Sequence, residues 1–111
     1  MTIPLPTLRQ LRFLVTLADE GNFSRAAEVC HVTQPTLSAA IKELETTLGV
    51  TLVERGARGT TLTPAGEAAL DRARSTLAEA EDLVQAARAA GEPLNGPFRL
   101  GVIPTIAPFL L

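Results

Sequence analysis

Between Pro64 and Ala90 nothing in the sequence breaks a helix, and Thr63-Pro64 is a strong start for one, an N-cap followed by proline at the first helical position. At the usual rise such a helix is about 40 Å long. Leu70, Ala73, Leu77, Ala80, Val84 and Ala87 alternate spacings of three and four along it, a heptad seam with larger residues at one position and alanine at the other. One helix cannot bury that seam alone, so the seam asks for a partner, expected to be a second copy of the chain. With Leu70, Leu77 and Val84 at the first seam position, an antiparallel pair would set Leu70 against the partner's Ala87 and Ala73 against the partner's Val84. It would also oppose Glu67 to the partner's Arg88 and Arg74 to the partner's Glu81, opposite charges at both levels. The expected assembly is an antiparallel homodimer through residues 64–90.

The part of the chain before this helix reads as three shorter helices and a hairpin. Thr7 and Gln10 have capping-box spacing, and Leu8, Leu11, Leu14, Val15 and Ala18 follow at helical period, which predicts a helix over about 7–20. Gly21 ends it and Asn22 caps a short helix over 23–30, with Phe23, Ala26 and Ala27 inward. His31 and Val32 form a turn, Thr33 caps the next helix, and Pro35 occupies its first turn, where a missing N–H costs nothing. Leu37, Ile41, Leu44 and Leu48 make its apolar stripe, and Gly49 ends it. Two helices joined by so short a turn, with alanines where they cross, form a helix-turn-helix. Val50–Arg55 and Thr60–Thr63 are β-prone runs around the tip Gly56-Ala57-Arg58-Gly59, a hairpin in the position of a wing, offering Arg55 and Arg58 unobstructed. The fold class is therefore mainly α, a winged helix-turn-helix with a long C-terminal linker helix. The expected division is a DNA-binding domain over 1–63, a linker and dimerisation helix over 64–91, and a hinge with the first strand of a further domain over 92–111, where Phe98–Ile103 reads as a buried strand.

Composition narrows the function by exclusion. The 111 residues carry a net charge of −2, and residues 1–66 hold six basic and six acidic groups. DNA affinity would have to come from local clustering rather than from a global field. Cys30 is the single cysteine, which excludes an internal disulfide framework and suits a reducing compartment. The apolar run Phe13–Ala18 is too short for a signal segment and no run is long enough to span a membrane, so a cytoplasmic location is expected. Adjacent Cys30 and His31 cannot comfortably face one metal and have no further Cys or His to help them. Cys30 reads as a small hydrophobe at the helix crossing. No Ser/His/Asp set, carboxylate pair or glycine-rich phosphate loop is present, so neither an enzyme, a metal nor a cofactor is expected.

The candidate binding residues lie on the edge of the third helix and around it. Pro35 and Ala39 add no bulk and would let the helix sit deep in the major groove, packing on a thymine methyl. Gln34 would bridge an adenine edge, and Thr36 and Ser38 would bond bases or phosphates. Ser24, Arg25 and Lys42 are candidate phosphate neighbours, Ser24 because amides at a helix N-terminus favour anions, and the cap Thr33 is a further candidate DNA-binding residue. Arg55 would meet phosphate and Arg58 the minor groove. The bland alternative is an ordinary solvated helix face with solubilising arginines. At the level of the whole protein, the alternative is a protein-interaction module in which the coiled-coil arm does the essential work.

The ordered run of helix-turn-helix, "TQPTLSAAIKELETTLGVTLVERGARGTTLTPAGE" and long helix resembles the N-terminal domain of LysR-type transcriptional regulators over about residues 7–91. "CHVTQPTLS" and "GPFRLGVIPTIAPFLL" are similar to the peroxide-sensing OxyR branch. The pattern departs from the common family form at Val53, where phenylalanine is usual, and at Ala39, where many members carry arginine or glycine. The resemblance implies a sequence-specific DNA-binding dimer that regulates transcription, with double-stranded DNA as partner and an oxidative-stress response as the controlled process. It also implies that a small-molecule or redox effector acts on a further domain, with a tetramer open to the full chain.

Overall fold

The computed structural model describes residues 2–91. In chain order it holds α1 (Leu8–Glu20), α2 (Phe23–Cys30), α3 (Gln34–Leu48), β1 (Val53–Gly56), β2 (Gly59–Leu62) and α4 (Pro64–Ala90). The strand expected at 98–103 lies outside the described residues. Residues up to Glu79 form one unit and those from Ala80 another.

Every helix begins where a side chain can satisfy its orphan amides. Thr7 Oγ1 accepts from the Gln10 N–H while Gln10 Oε1 accepts from the Thr7 N–H, both at 3.1 Å. Asn22 Oδ1 accepts from the Arg25 amide at 2.7 Å, Thr33 Oγ1 from Thr36 at 3.3 Å and Thr63 Oγ1 from Gly66 at 2.9 Å. Each such cap is worth about 1 kcal/mol. The turn between α2 and α3 is made at His31, whose φ of 60° ends α2 in the left-handed region.

Leu14, Leu17, Leu37, Leu44 and Leu52 are the largest enclosed side chains, joined by Phe13, Phe23, Ala26, Ala27 and Ile41 in one core. The buried arc of α1 is turned from the expected one, with Phe13 and Leu17 inside and Leu8 49% exposed. α1 packs against both α2 and α3, so a single narrow stripe would not have covered it. Leu48, read as part of the α3 stripe, is 38% exposed.

The hairpin starts later than its β-prone sequence does. Thr51 and Leu52 are not strand; β1 begins at Val53 and pairs antiparallel with β2 in the register Val53↔Leu62 through Gly56↔Gly59. The Leu52 N–H donates to Glu45 Oε2 at 2.8 Å and the Leu52 carbonyl accepts from Thr63 N–H at 2.9 Å. Both backbone groups are thus satisfied outside the ladder while the side chain is fully enclosed. The Thr60 N–H bonds the Gly21 carbonyl at 3.1 Å, fixing β2 to the α1–α2 turn.

The first half of α4 closes this unit. A Cβ on Gly66 would lie 2.1 Å from the Leu52 carbonyl oxygen, so only glycine lets the helix approach. Leu70 (9% exposed) and Ala73 (2%) are buried within the chain, and Leu77 packs on the same core. Of the expected seam, Leu70 and Ala73 are thus covered by the chain itself, and Leu77 is half-buried against the same core. The register that set Leu70 against the partner's Ala87 would need surface already covered. Arg74 is also engaged, donating to Asp19 Oδ1 at 2.7 Å. That hydrogen bond, with the carboxylate's charge, raises its pKa. In the second unit, residues 81–90 are exposed, Leu83 at 69% and Val84 at 45% among them.

Candidate nucleic-acid interface

The inner face of α3 is taken by Leu37, Ala40, Ile41 and Leu44. Helical period then turns Gln34, Pro35, Thr36, Ala39 and Lys42 outward, all exposed, with Ser38 half-buried beside them. This edge is mostly short and uncharged because Lys42 is its one long cation, and Pro35 supplies a first-turn residue with no amide proton to satisfy. Two open grooves flank it. One, about 540 Å³, is lined on α3 by Thr36, Ala39 and Lys42 and on α1 by Arg9. The other, about 300 Å³, runs between Ser24, Gln34, Arg55 and Gly59.

Hydrogen bonds join residues that the sequence could only suggest separately. Ser24 Oγ on α2 donates to Gln34 Oε1 at 3.1 Å, which leaves the Gln34 amide nitrogen free to donate outward. The Thr33 and Thr36 hydroxyls are 2.8 Å apart at the start of α3. Arg25 keeps its guanidinium 3.4 Å from Glu20, and its side chain is 68% exposed. Arg58 occupies the two-residue turn of the hairpin with Ala57 and is exposed.

Arg55, expected to meet phosphate, is exposed and makes two contacts within the chain. Its guanidinium lies 3.7 Å from the centroid of Phe23 and donates through Nη2 to Ser38 Oγ. It is held against α2 and α3 rather than offered at the hairpin tip. The reason is register: Arg55 is opposite Thr60, the residue whose amide is bound to Gly21, so it is at the anchored part of the hairpin.

Two contributors were missed in the sequence. Arg9 stands over the Phe13 ring at 4.7 Å and shares the groove with Lys42; its spacing from α3 is invisible in one dimension. Glu45 holds the amides of Leu52 and Val53 at 2.8 and 3.3 Å, fixing where the hairpin leaves α3. Cys30 is half-buried against the core. Among the described residues there is no group of three or more His, Cys, Asp or Glu placed to hold a metal, and no helix long and apolar enough to cross a membrane.

Residues 8–67 match the family described as bacterial regulatory helix-turn-helix protein, lysR family. The chain belongs to the lysR family. The match runs from the start of α1 to the first turn of α4 and so contains every residue of the edge and the wing. Over 107 residues the chain is 53% identical to the HTH-type transcriptional regulator EstR of Acinetobacter baylyi, covering 96% of this chain and 36% of that protein. It is 47% identical over 104 residues to the DNA-binding transcriptional dual regulator OxyR of Escherichia coli K12, covering 94% of this chain and 34% of that one. The chain thus spans about a third of the length of these relatives. Among solved structures, the CbnR DNA-binding domain in complex with DNA superposes with a TM-score of 0.73 at 42% identity, over 76% of this chain and 97% of that one. A lysR-family winged helix-turn-helix is what the α1–α4 arrangement builds.

Proposed function

We propose that the chain is the DNA-reading part of a transcriptional regulator, binding double-stranded DNA as a homodimer with α3 in the major groove and the wing at the minor groove. The observation that carries this is the exposed edge Gln34, Pro35, Thr36 and Ala39, free of bulk, with Lys42 behind it and Arg58 at the wing tip. Likeness to a DNA complex over three-quarters of the chain supports it. Gln34 and Ser38 are proposed as base contacts, Ser24, Arg25, Thr33, Thr36 and Lys42 as neighbours of the backbone, and Arg58 as the minor-groove contact. No net positive field is needed, because the cations are local to the edge.

The domain division into a winged part over 1–63, a linker helix over 64–91 and a further domain from 92 is part of the same proposal. So is the cytoplasmic location. The homodimer is proposed through the exposed Leu83, Val84 and Ala87, with half-buried Ala80 beside them. Likeness to OxyR supports an oxidative-stress response, although EstR is the more similar of the two relatives. The effector site is assigned to the part of such regulators beyond this chain's winged domain.

Mobility shifts across salt concentration test the reading. Logarithm of affinity should fall linearly with logarithm of salt, with a slope near −0.9 for each phosphate neutralised. The duplex enriched by the protein from a random library should bind at least about a thousandfold more tightly than scrambled DNA. Equal affinity for both duplexes, or no binding, would reject it in favour of an interaction module.

A further inference from the structure

We propose that Arg55 is a positioning residue, which ties the wing to the recognition helix and aims the Ser38 hydroxyl, and makes no phosphate contact of its own. The inference rests on the DNA-reading function proposed above. A two-stranded hairpin is marginal in isolation, and this one needs fixing on both strands for its tip to have a definite direction. β2 is fixed by the bond from the Thr60 amide to the Gly21 carbonyl at 3.1 Å. Arg55, paired across the ladder with Thr60, fixes β1 at the same level. Its flat guanidinium lies 3.7 Å from the ring centre of Phe23, a residue only 6% exposed and itself part of the core, so the stack has a rigid base.

The same group reaches α3. Arg55 Nη2 donates to Ser38 Oγ, and a hydroxyl that accepts there has its own proton left for another acceptor. Ser38 is therefore presented to DNA as a donor, suited to a purine N7, a carbonyl oxygen of a base or a phosphate oxygen. Arg58 lies three residues on, in the turn closed by Gly56 and Gly59, and takes its direction from the strand that Arg55 holds. One guanidinium thus sets the geometry of a major-groove group and a minor-groove group together. Lysine keeps the charge but has neither the flat face for Phe23 nor the fork for a second bond, so charge and position can be separated by substitution.

The test compares Arg55→Lys, Arg55→Gln and Ser38→Ala with the unaltered protein on two readouts. The first needs no DNA: hydrogen exchange of the amides of residues 53–62. Both Arg55 variants should exchange faster there while the amides of α1 and the buried turns of α3 stay protected. Unchanged exchange in the hairpin would overturn the inference whatever DNA does. The second uses the duplex enriched by the unaltered protein from a random library, set against scrambled DNA. Arg55→Lys should lower the ratio of the two affinities by roughly five- to tenfold with the salt slope unchanged. In the Ser38→Ala background the same change should cost much less. Preserved discrimination in Arg55→Lys, with a slope shallower by about 0.9 in Arg55→Gln, would instead make Arg55 a phosphate contact and overturn the inference. If the unaltered protein itself shows no discrimination between duplexes, the DNA-reading function fails, and hairpin exchange still decides whether Arg55 positions the wing.

Discussion

Single positions carry sharply different burdens. Gly66 has no exposed chemistry, yet a methyl group there would collide with the Leu52 carbonyl at 2.1 Å, a backbone atom that cannot move without shifting the wing or α4. Gly66→Ala should destabilise the protein by about 2–3 kcal/mol, read as a lowered denaturant midpoint in chemical unfolding. A change within experimental error would mean that α4 does not approach the hairpin so closely. Arg58 is the opposite case: exposed at the tip, with nothing in the core depending on it. Arg58→Ala should weaken binding to the library-enriched duplex by roughly 1–3 kcal/mol and leave the unfolding midpoint in place. Unaltered affinity on duplexes with both A/T-rich and G/C-rich flanks would remove Arg58 from the interface.

At the scale of elements, what was legible in the sequence and what was not follow from the range of the forces involved. The caps Thr7, Asn22, Thr33 and Thr63 act within three residues of themselves, and all four make the expected bonds. The helix limits therefore follow from local chemistry. The inward alanines of α2 and the outward edge of α3 follow from period. Leu52 does not: β-prone and next to Val53, it becomes a core side chain because Glu45, seven residues earlier, takes its amide. The engagement of Arg55 is hidden for the same reason, since its neighbours Phe23 and Ser38 lie 32 and 17 positions away in the chain. A heptad pattern likewise says that a face is apolar and not which surface will cover it. In α4 the first turns are covered by the chain's own core at Leu70 and Ala73.

For the whole molecule, that division of α4 revises how two copies would meet. Leu83 and Val84 remain 69% and 45% exposed, flanked by Ala80 and Ala87. Arg74 is engaged with Asp19, so the charge pattern that opposed Arg74 to the partner's Glu81 has a competitor within the chain. Exposed ion pairs are worth under about 1 kcal/mol in any case. The apolar stripe rather than the charges should hold the dimer. Replacing both Leu83 and Val84 by Glu should raise the dimer dissociation constant by at least about tenfold in sedimentation equilibrium. The Gly66-dependent unfolding of the winged part should be unaffected, and an unchanged dissociation constant would place the interface elsewhere. Weak dimerisation would also reduce affinity for a two-half-site duplex without changing which bases each half-site prefers, which separates assembly from readout.

The central claim is that α3 reads base edges, and Gln34 tests it most directly. Its amide oxygen accepts from Ser24 Oγ at 3.1 Å, which leaves the amide nitrogen available to donate. The measurement is the affinity of the unaltered protein and of Gln34→Ala for the library-enriched duplex and for a set of duplexes with each base pair replaced in turn. Gln34→Ala should lose roughly 1–3 kcal/mol of discrimination at one base pair of each half-site and keep its preferences at the others. A uniform loss across all duplexes and scrambled DNA, or no loss at any, would contradict it.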